Sequence, residues 1–578
     1  MKPGERLREL LRARSTERTG SADAIPMATV SGVASTTPGM ISWFDRQTAV
    51  TMITTKSYQR SPNPGNREPI ITEAGAGNFG NAVGLRNPGI RSGVRELSRL
   101  RAQRPMGALL AVSLSAMAVD EFVRLARESA SVADLLELNY SCPHATRGYG
   151  ADIGRDAAAI ARITQAVVDA AGELPVLVKL TPNVPRIEEM ARVAVEAGAA
   201  GVTAVNTVGP EVYLHEGSGA AILTNPPDGR GGQSGAWIRE TAIAAVAAIR
   251  GTLGPAPVIV GMGGVSSRRD AQQLVAAGAD VVGVGSALGR IHQRYWPAFV
   301  RRLAGIGEAP PTAPREAAAM DFSHHTVAAH RELGDGLFEL DLSPPVPAEP
   351  GQSVFLWIPG VGEKPFATAG TRGDVTTFLI RRRGQLTEKL GAVGPAAAVF
   401  VRGPYGDRWA PPPPLPAPPR QSTTAPAGSA VLIGAGSGIA TLPGVARVCR
   451  EQGVAVISVL GLRHAIRNGA VLDALAEAGQ LELVPDEGET GRVLTRLPAI
   501  IAQAAGAPGI AWAWICGPDA FMREAARRVA ALGIPRHRIF LSLERMMRCG
   551  VGMCGECHHH GHLTCQFGTV ISAEEDHE

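Results

Sequence analysis

The sequence predicts an α/β protein: a (β/α)8 barrel of the TIM type, then an antiparallel β-barrel, a nucleotide-binding α/β domain and a cysteine-rich C-terminal segment. Three observations carry this reading. From about residue 25 to 305, short β-branched runs alternate with Ala-rich helical stretches, as strand-then-helix units around a parallel sheet do. Residues 322–405 instead alternate apolar with polar positions between Gly and Pro turns, as a small antiparallel barrel does. Ala430–Ile433 and Val454–Leu460 then read as parallel strands separated by a helix. At 578 residues the chain is too long for one core, since domains run to roughly 100–250 residues.

In chain order, residues 1–24 open with MKPGERLRELLRARSTER, expected to be a mobile basic arm, either a short amphipathic helix or transit-like, without the apolar stretch of a secretory signal. Residues 25–305 hold eight candidate strands: Thr29–Val33, Val50–Thr54, Leu109–Ser113, Leu135–Asn139, Val176–Leu180, Gly201–Asn206, Val258–Gly261 and Val281–Gly285. Most are largely apolar, as strands covered on both faces are. Function in such a barrel gathers where the strands end, and Lys56, Asn139, Lys179, Asn206, Gly263, Gly264 and Gly285 fall there. Residues 306–320 accumulate Pro and Ala without periodicity and read as a linker. Residues 321–409 form the antiparallel barrel, and 410–428, with the Pro411–Pro419 run, a stiff connection or surface loop. The nucleotide-binding domain takes 429–540 and the cysteine segment 541–578.

Composition excludes several classes. A net charge of +4 is small for this length, and much of the basic excess sits in the opening eighteen residues, so nothing points to nucleic acid. No window offers the ~20 uninterrupted apolar residues of a membrane-spanning helix, and a cytoplasmic protein is expected. Of seven cysteines, Cys549, Cys554, Cys557 and Cys565 crowd together, which suggests metal rather than disulfides.

The most informative stretch is Glu137-Leu-Asn-Tyr-Ser-Cys-Pro-His144, which leaves a strand and enters a glycine-containing loop. A lone cysteine after a buried strand is commonly an inert small hydrophobe. The functional alternative is a general base, since a thiolate tuned toward neutrality can take a proton from carbon beside a carbonyl.

These residues belong to an ordered set of matches, among them Thr54-Thr-Lys56, Asn81-Ala-Val-Gly-Leu-Arg-Asn-Pro-Gly89, Val178-Lys-Leu-Thr-Pro-Asn183, Val205-Asn-Thr207, Gly231-Gly-Gln-Ser-Gly235, Gly261-Met-Gly-Gly264 and Gly283-Val-Gly-Ser286. Residues 28–295 resemble the cytosolic dihydroorotate dehydrogenases with an FMN-bearing barrel. The resemblance implies that Lys56, Asn139 and Lys179 touch the flavin, with Ser31 and Gly32 beside its ring. Gly235 belongs to the same FMN set, and Gly263, Gly264, Gly285 and Ser286 would hold the phosphate through backbone N–H groups. It further implies that Cys142 is the base and that Asn81, Asn139, Asn206 and Thr207 bind the pyrimidine, with His144 beside them. Two departures stand out. His144 replaces the Asn of the common bacterial enzymes and is shared with dihydropyrimidine dehydrogenases, and Val208-Gly-Pro-Glu-Val-Tyr213 replaces the family's Gly-Met pair.

The spacing Cys549-x4-Cys554-x2-Cys557-x7-Cys565 resembles that of plant-type [2Fe–2S] ligands, with zinc as the other reading. His558, His559, His560 and His562 beside it are expected to be solvated. Residues 322–572 resemble the FAD-bearing electron-transfer subunits of the ferredoxin-reductase-like class. By that resemblance Lys364, Pro365, Phe366 and Thr368 meet FAD, although Lys364 stands where Arg is usual and lacks its bidentate grip on pyrophosphate. Gly434, Gly436 and Gly438 would place NAD against a helix N-terminus. Cys516, Gly517 and Pro518 would lie near the nicotinamide.

Two subunits joined in one chain imply a route from pyrimidine to FMN, [2Fe–2S], FAD and NAD+, with dihydroorotate as the expected substrate and a homodimer through the barrel. NADP is the alternative to NAD. Two other readings stay open on the sequence: an NAD(P)H-dependent dihydropyrimidine dehydrogenase reducing uracil or thymine, favoured by His144, and a non-catalytic electron-transfer or scaffold protein with a decayed barrel site.

Overall fold

The computed structural model describes residues 2–140, 151–226, 228–307, 320–411, 428–462, 469–485, 491–504 and 510–576. They divide into two compact units, one of residues 1–320 with 551–563, the other of 321–550 with 564–578. The expected linker 306–320 and Pro-rich loop 410–428 lie almost wholly outside the described residues.

In the first unit, eight parallel strands close into a barrel: β1 Met27–Thr29, β2 Met52–Thr54, β3 Leu109–Leu114, β4 Leu135–Asn139, β5 Val176–Lys179, β6 Gly201–Ala204, β7 Val258–Met262 and β8 Val281–Val284. Each pairs with its neighbours in sequence, and β8 returns to β1 with Met27 opposite Val282. The strands are short and their residues almost wholly buried, because helices cover the outside. A helix follows each strand, from Pro38–Gln47 after β1 to Trp296–Ala304 after β8. The starts are locally encoded. Asp156 accepts from Ala158 N (2.9 Å) and Ala159 N (3.1 Å) to begin one, and a Ser267–Asp270 capping box begins another. A four-stranded antiparallel sheet, made of Ile71–Glu73, Asn78–Asn81, Arg230–Gly235 and Val208–Val212, is built from the chain that follows β2 and β6.

The basic opening is not a mobile arm. Pro3–Thr19 is a helix, α1, whose Leu7 and Leu11 are 1% exposed and join the core formed by Ala28, Met52, Leu109, Leu135, Leu177, Val258 and Val281, at or beside the beginnings of seven barrel strands. Positions i and i+4 share one helix face, so two leucines suffice to cap the barrel floor while Arg6 and Arg12 stay exposed. Gly4 is required there, because a Cβ would stand 2.6 Å from the carbonyl oxygens of Ala200 and Ala256. Arg8 donates from Nε to Asp280 at 2.6 Å, and Arg250 donates to the other oxygen of the same carboxylate at 2.6 Å.

The second unit has two layers of its own. Seven antiparallel strands between Ser323 and Tyr405 surround a core of Phe338, Leu340, Leu356, Phe378 and Val399; the ladder has two edges, Gly362–Phe366 and Gly370–Arg372, and does not close as the expected barrel would. A six-stranded sheet follows, with Ser429–Ala435 at its centre, four parallel partners, and Val570–Ser572 antiparallel at one edge. Cores on both of its faces make it doubly wound. Among the described residues, no helix is long and apolar enough to cross a membrane.

Leu7→Ala tests the α1 floor: burial of this side chain predicts a loss of about 2–5 kcal/mol, read as a lower denaturation midpoint of the barrel unit. A mobile arm would leave the midpoint unchanged.

Candidate active site

Parallel closure sends every strand out at the same rim, and the residues just past the strands line a cavity of about 1200 Å³, open mouth included. Ser31 and Gly32 follow β1, Lys56 and Ser57 follow β2, Asn139 ends β4 and Lys179 ends β5. Val205, Asn206 and Thr207 follow β6, Met262, Gly263 and Gly264 come from β7, and Gly285 and Ser286 follow β8. The upper sheet adds Asn81 and Gly235. Every FMN or pyrimidine residue named from the sequence is thus in this one cavity, except Cys142 and His144, which lie outside the described residues.

Local geometry explains two of the glycines. Gly263 has φ +136° and a Cβ there would meet Ala242 Cβ at 2.7 Å; Gly264 has φ +70° and packs against the Gly235 carbonyl oxygen, 2.9 Å from a hypothetical Cβ. Only glycine adopts such backbones without strain at that spacing.

Beneath the cavity runs a polar network that single residues in the sequence did not reveal. Asn139 Nδ2 donates to Ser57 Oγ at 2.8 Å; Ser57 Oγ also lies 2.9 Å from Ser113 Oγ and 3.2 Å from Ser31 Oγ. Ser113 Oγ donates in turn to Glu137 Oε1 at 3.1 Å, and Glu137 is 1% exposed. One signal existed: a carboxylate inside the apolar strand Leu-Leu-Glu-Leu-Asn, two residues before Asn139 and therefore on its face.

Lys56 and Lys179 are 7% and 4% exposed. Burial holds the Lys56 ammonium below the usual lysine range, and the Glu556 carboxylate opposes that shift. Glu556 Oε1 lies 3.2 Å from Lys56 Nζ and 2.8 Å from Arg86 Nε, and Met553 also lines the cavity. These contacts lie within the first unit, to which 551–563 belongs. They pair residues some 500 positions apart and were not foreseen.

The cavity suits an elongated polar ligand carrying negative charge. Two buried lysines stand at the rim and the Glu556 carboxylate beside Lys56 is shared with Arg86, so positive charge is in excess there; Thr207 Oγ1 is buried without a hydrogen-bond partner among the described residues, and a Cβ on Gly32 would meet nothing within 4 Å.

Of the cysteine run, Cys554 and Cys557 fall in the first unit, Cys549 and Cys565 in the second, and all four are buried and outside any disulfide. The neighbouring histidines are not all solvated, as expected from sequence: His559 is 8% exposed, and burial, reinforced by the surrounding imidazoles, pushes the half-buried His558 down to about 4. His560 and His562 are exposed.

In the second unit Lys364, Pro365 and Phe366 line a cleft with Gly438, Thr441 and Cys516, while Thr368 lines a neighbouring hollow with Gln352 and Arg447. Gly434 does not face the cleft, since its Cβ would meet Ile439 at 2.7 Å; Gly438 approaches Gly517 N, 2.9 Å from a Cβ. A 3-10 turn, Gly436–Thr441, separates the strand from the helix Leu442–Glu451, so the helix does not start at the glycines as expected. Pro518 caps the helix Asp519–Ala531. Burial pushes the Cys516 thiol up to about 12, so it is inert at neutral pH. Under the Cys549 backbone, Arg402 is 1% exposed at its side chain, pairs with Glu363 at 2.7 Å and donates to the Cys549 carbonyl at 2.8 Å. Burial opposes the Arg402 charge, and the Glu363 carboxylate more than offsets it, raising the pKa.

Fold and rim define a (β/α)8-barrel protein with a polar, glycine-rimmed cavity at the strand ends. The profile of the family Dihydroorotate dehydrogenase matches residues 17–303. The catalytic subunit of dihydroorotate dehydrogenase B (NAD(+)) from Methanopyrus kandleri is 39% identical over 278 residues, 47% of this chain and 85% of that one. Its counterpart from Methanothermobacter thermautotrophicus is 38% identical over 236 residues, 41% of this chain and 74% of that one. The chain belongs to the dihydroorotate dehydrogenase family. A solved structure of an NADH-dependent reduced ferredoxin–NADP oxidoreductase overlaps 43% of this chain and 88% of its own at 22% identity and a TM-score of 0.37, too loose a likeness to carry an argument.

Ser57→Ala removes the hub of the buried network, and leaving its partners short of a hydrogen bond predicts a stability loss of about 1–3 kcal/mol in urea denaturation. Unchanged stability would mean that Asn139 and Ser113 do not depend on it.

Proposed function

We propose that this chain oxidises dihydroorotate to orotate and passes the electrons to a nicotinamide dinucleotide. The supporting observation is the convergence, from six barrel strands and the upper sheet, of the polar residues named above around two buried lysines in one cavity. The relatives that carry the name dihydroorotate dehydrogenase B match this same unit.

FMN supplies two-electron acceptor chemistry in the cavity when bound, and a [2Fe–2S] cluster and FAD supply the onward relay to NAD+, or NADP+. Gly263, Gly264, Gly285 and Ser286 would hold the FMN phosphate, with Gly235, Ser31 and Gly32 beside the group. Lys56 and Lys179 would put positive charge where reduction builds negative charge. The amides of Asn81, Asn139 and Asn206 and the Thr207 hydroxyl can pair with the alternating carbonyl and N–H edge of a pyrimidine. Asn139 is held for that task by Ser57. Cys142, three residues beyond Asn139 in sequence, would take the proton from C5, beside the ring carbonyl.

For the second half, Lys364, Pro365, Phe366 and Thr368 would hold FAD, and the glycine turn with Cys516, Gly517 and Pro518 the nicotinamide dinucleotide. Four thiolates, from Cys549, Cys554, Cys557 and Cys565, suffice for the cluster. Pairing of two copies through the barrel belongs to the same reading.

Anaerobic addition of dihydroorotate is expected to bleach the flavin absorbance within the dead time of ordinary mixing. Cys142→Ala should slow that phase about 10²–10⁴-fold while flavin content stays the same. Bleaching at the wild-type rate in the variant would remove Cys142 from the scheme. Turnover of uracil with NADPH, and none of dihydroorotate, would replace the substrate.

A further inference from the structure

The loop that carries Cys554 and Cys557 reaches the rim of the barrel, and the residue between them that makes the contact is Glu556. Its carboxylate stands between Lys56 Nζ at 3.2 Å and Arg86 Nε at 2.8 Å, with its own side chain 10% exposed and that of Lys56 9%. Both cations line the cavity. A carboxylate so little hydrated acts on its surroundings through a low effective dielectric, where a unit charge a few ångströms away is felt far more than in water.

The loop does not need this ion pair to stay in place. Ala34 N donates to the Met553 carbonyl at 2.8 Å, and Thr36 Oγ1 donates to the Cys554 carbonyl at 2.6 Å. Gln293 clamps the far end, donating to Gly561 O at 3.0 Å and accepting from Leu563 N at 2.8 Å. Gly555 lies so close to the first barrel loop that a Cβ would be 2.9 Å from Thr36 Oγ1 and 3.2 Å from Ala34 Cα. The loop backbone is thus held by contacts other than the Glu556 side chain, whose charge acts on the two cations at the rim.

We infer that Glu556 is a positioning residue that sets the reduction potential of the flavin proposed for this cavity, by drawing the Lys56 ammonium toward the cysteine loop and offsetting its charge. This rests on the flavin reading given above. Reduction adds negative charge to a flavin, so the lysine favours the reduced form and the carboxylate opposes it. Glu556 moderates an otherwise strongly oxidising site, and it does so from the segment that supplies two of the four thiolates.

The test uses the full chain, loaded with FMN and FAD, as wild type, E556Q and E556D, titrated anaerobically against a reference dye at fixed pH. The flavin wave displaced by added orotate is the barrel flavin. E556Q keeps the size of the side chain and removes only the charge. Its barrel-flavin wave is expected to move to higher potential, with the reduced-to-oxidised ratio at a given poise raised at least tenfold, about 30 mV for a two-electron couple. E556D retains the charge and is expected to return the wave toward the wild-type value. A wave in E556Q that coincides with wild type at equal FMN content would overturn the role of Glu556 alone. A wild-type chain that takes up FAD but no FMN would overturn the flavin reading and this inference with it.

Discussion

Closure of eight parallel strands is the constraint on which the rest depends. Because β8 pairs with β1 in parallel, all eight chains leave the barrel in one direction, and residues as distant in sequence as Ser31 and Ser286 share one rim. The other end must then be covered by something else. Helix α1 does this with Leu7 and Leu11, held against the strand beginnings by the Arg8–Asp280–Arg250 cluster. The floor is apolar and the rim is polar, and this polarity along one axis separates what holds the barrel from what can bind a ligand.

Placing lysines at such a rim is costly unless each has company. Lys56 finds it in Glu556, and the Asn139 amide finds it in a chain of hydroxyls that ends on the buried carboxylate of Glu137. Both arrangements orient polar groups before any ligand arrives, which is how binding sites avoid reorganisation when charge develops. The second unit uses the same device with a different purpose. Arg402 and Glu363 are almost fully buried, satisfy each other and fix the backbone at Cys549.

Most of this was legible in the sequence where a pattern repeats. Seven of the eight barrel strands begin and end within two residues of the runs that foretold them, since a strand covered on both faces has no polar alternation to blur its limits; the first, expected at Thr29–Val33, spans Met27–Thr29 instead. Polar residues at strand ends were legible for the same reason: a lysine or asparagine that closes an apolar run stands out. Ser57 and Ser113 were not, because a serine in a buried strand is as common in packing as in binding. Helix α1 was misjudged because eight of its seventeen residues are charged and only the spacing of Leu7 and Leu11 signals its buried side. Glu556 was invisible because its partners lie some 500 residues away, a distance at which no periodicity operates.

The central claim is that the rim cavity holds a flavin with a pyrimidine against it, contacted by Lys56, Asn139 and Lys179. A crystal structure of the chain grown with FMN and orotate tests it most directly. Density for an isoalloxazine within hydrogen-bond distance of both lysine ammonium groups, with orotate stacked on it beside Asn139, is the expected result. Density for the flavin elsewhere, with the rim cavity filled by protein or solvent, would contradict the account.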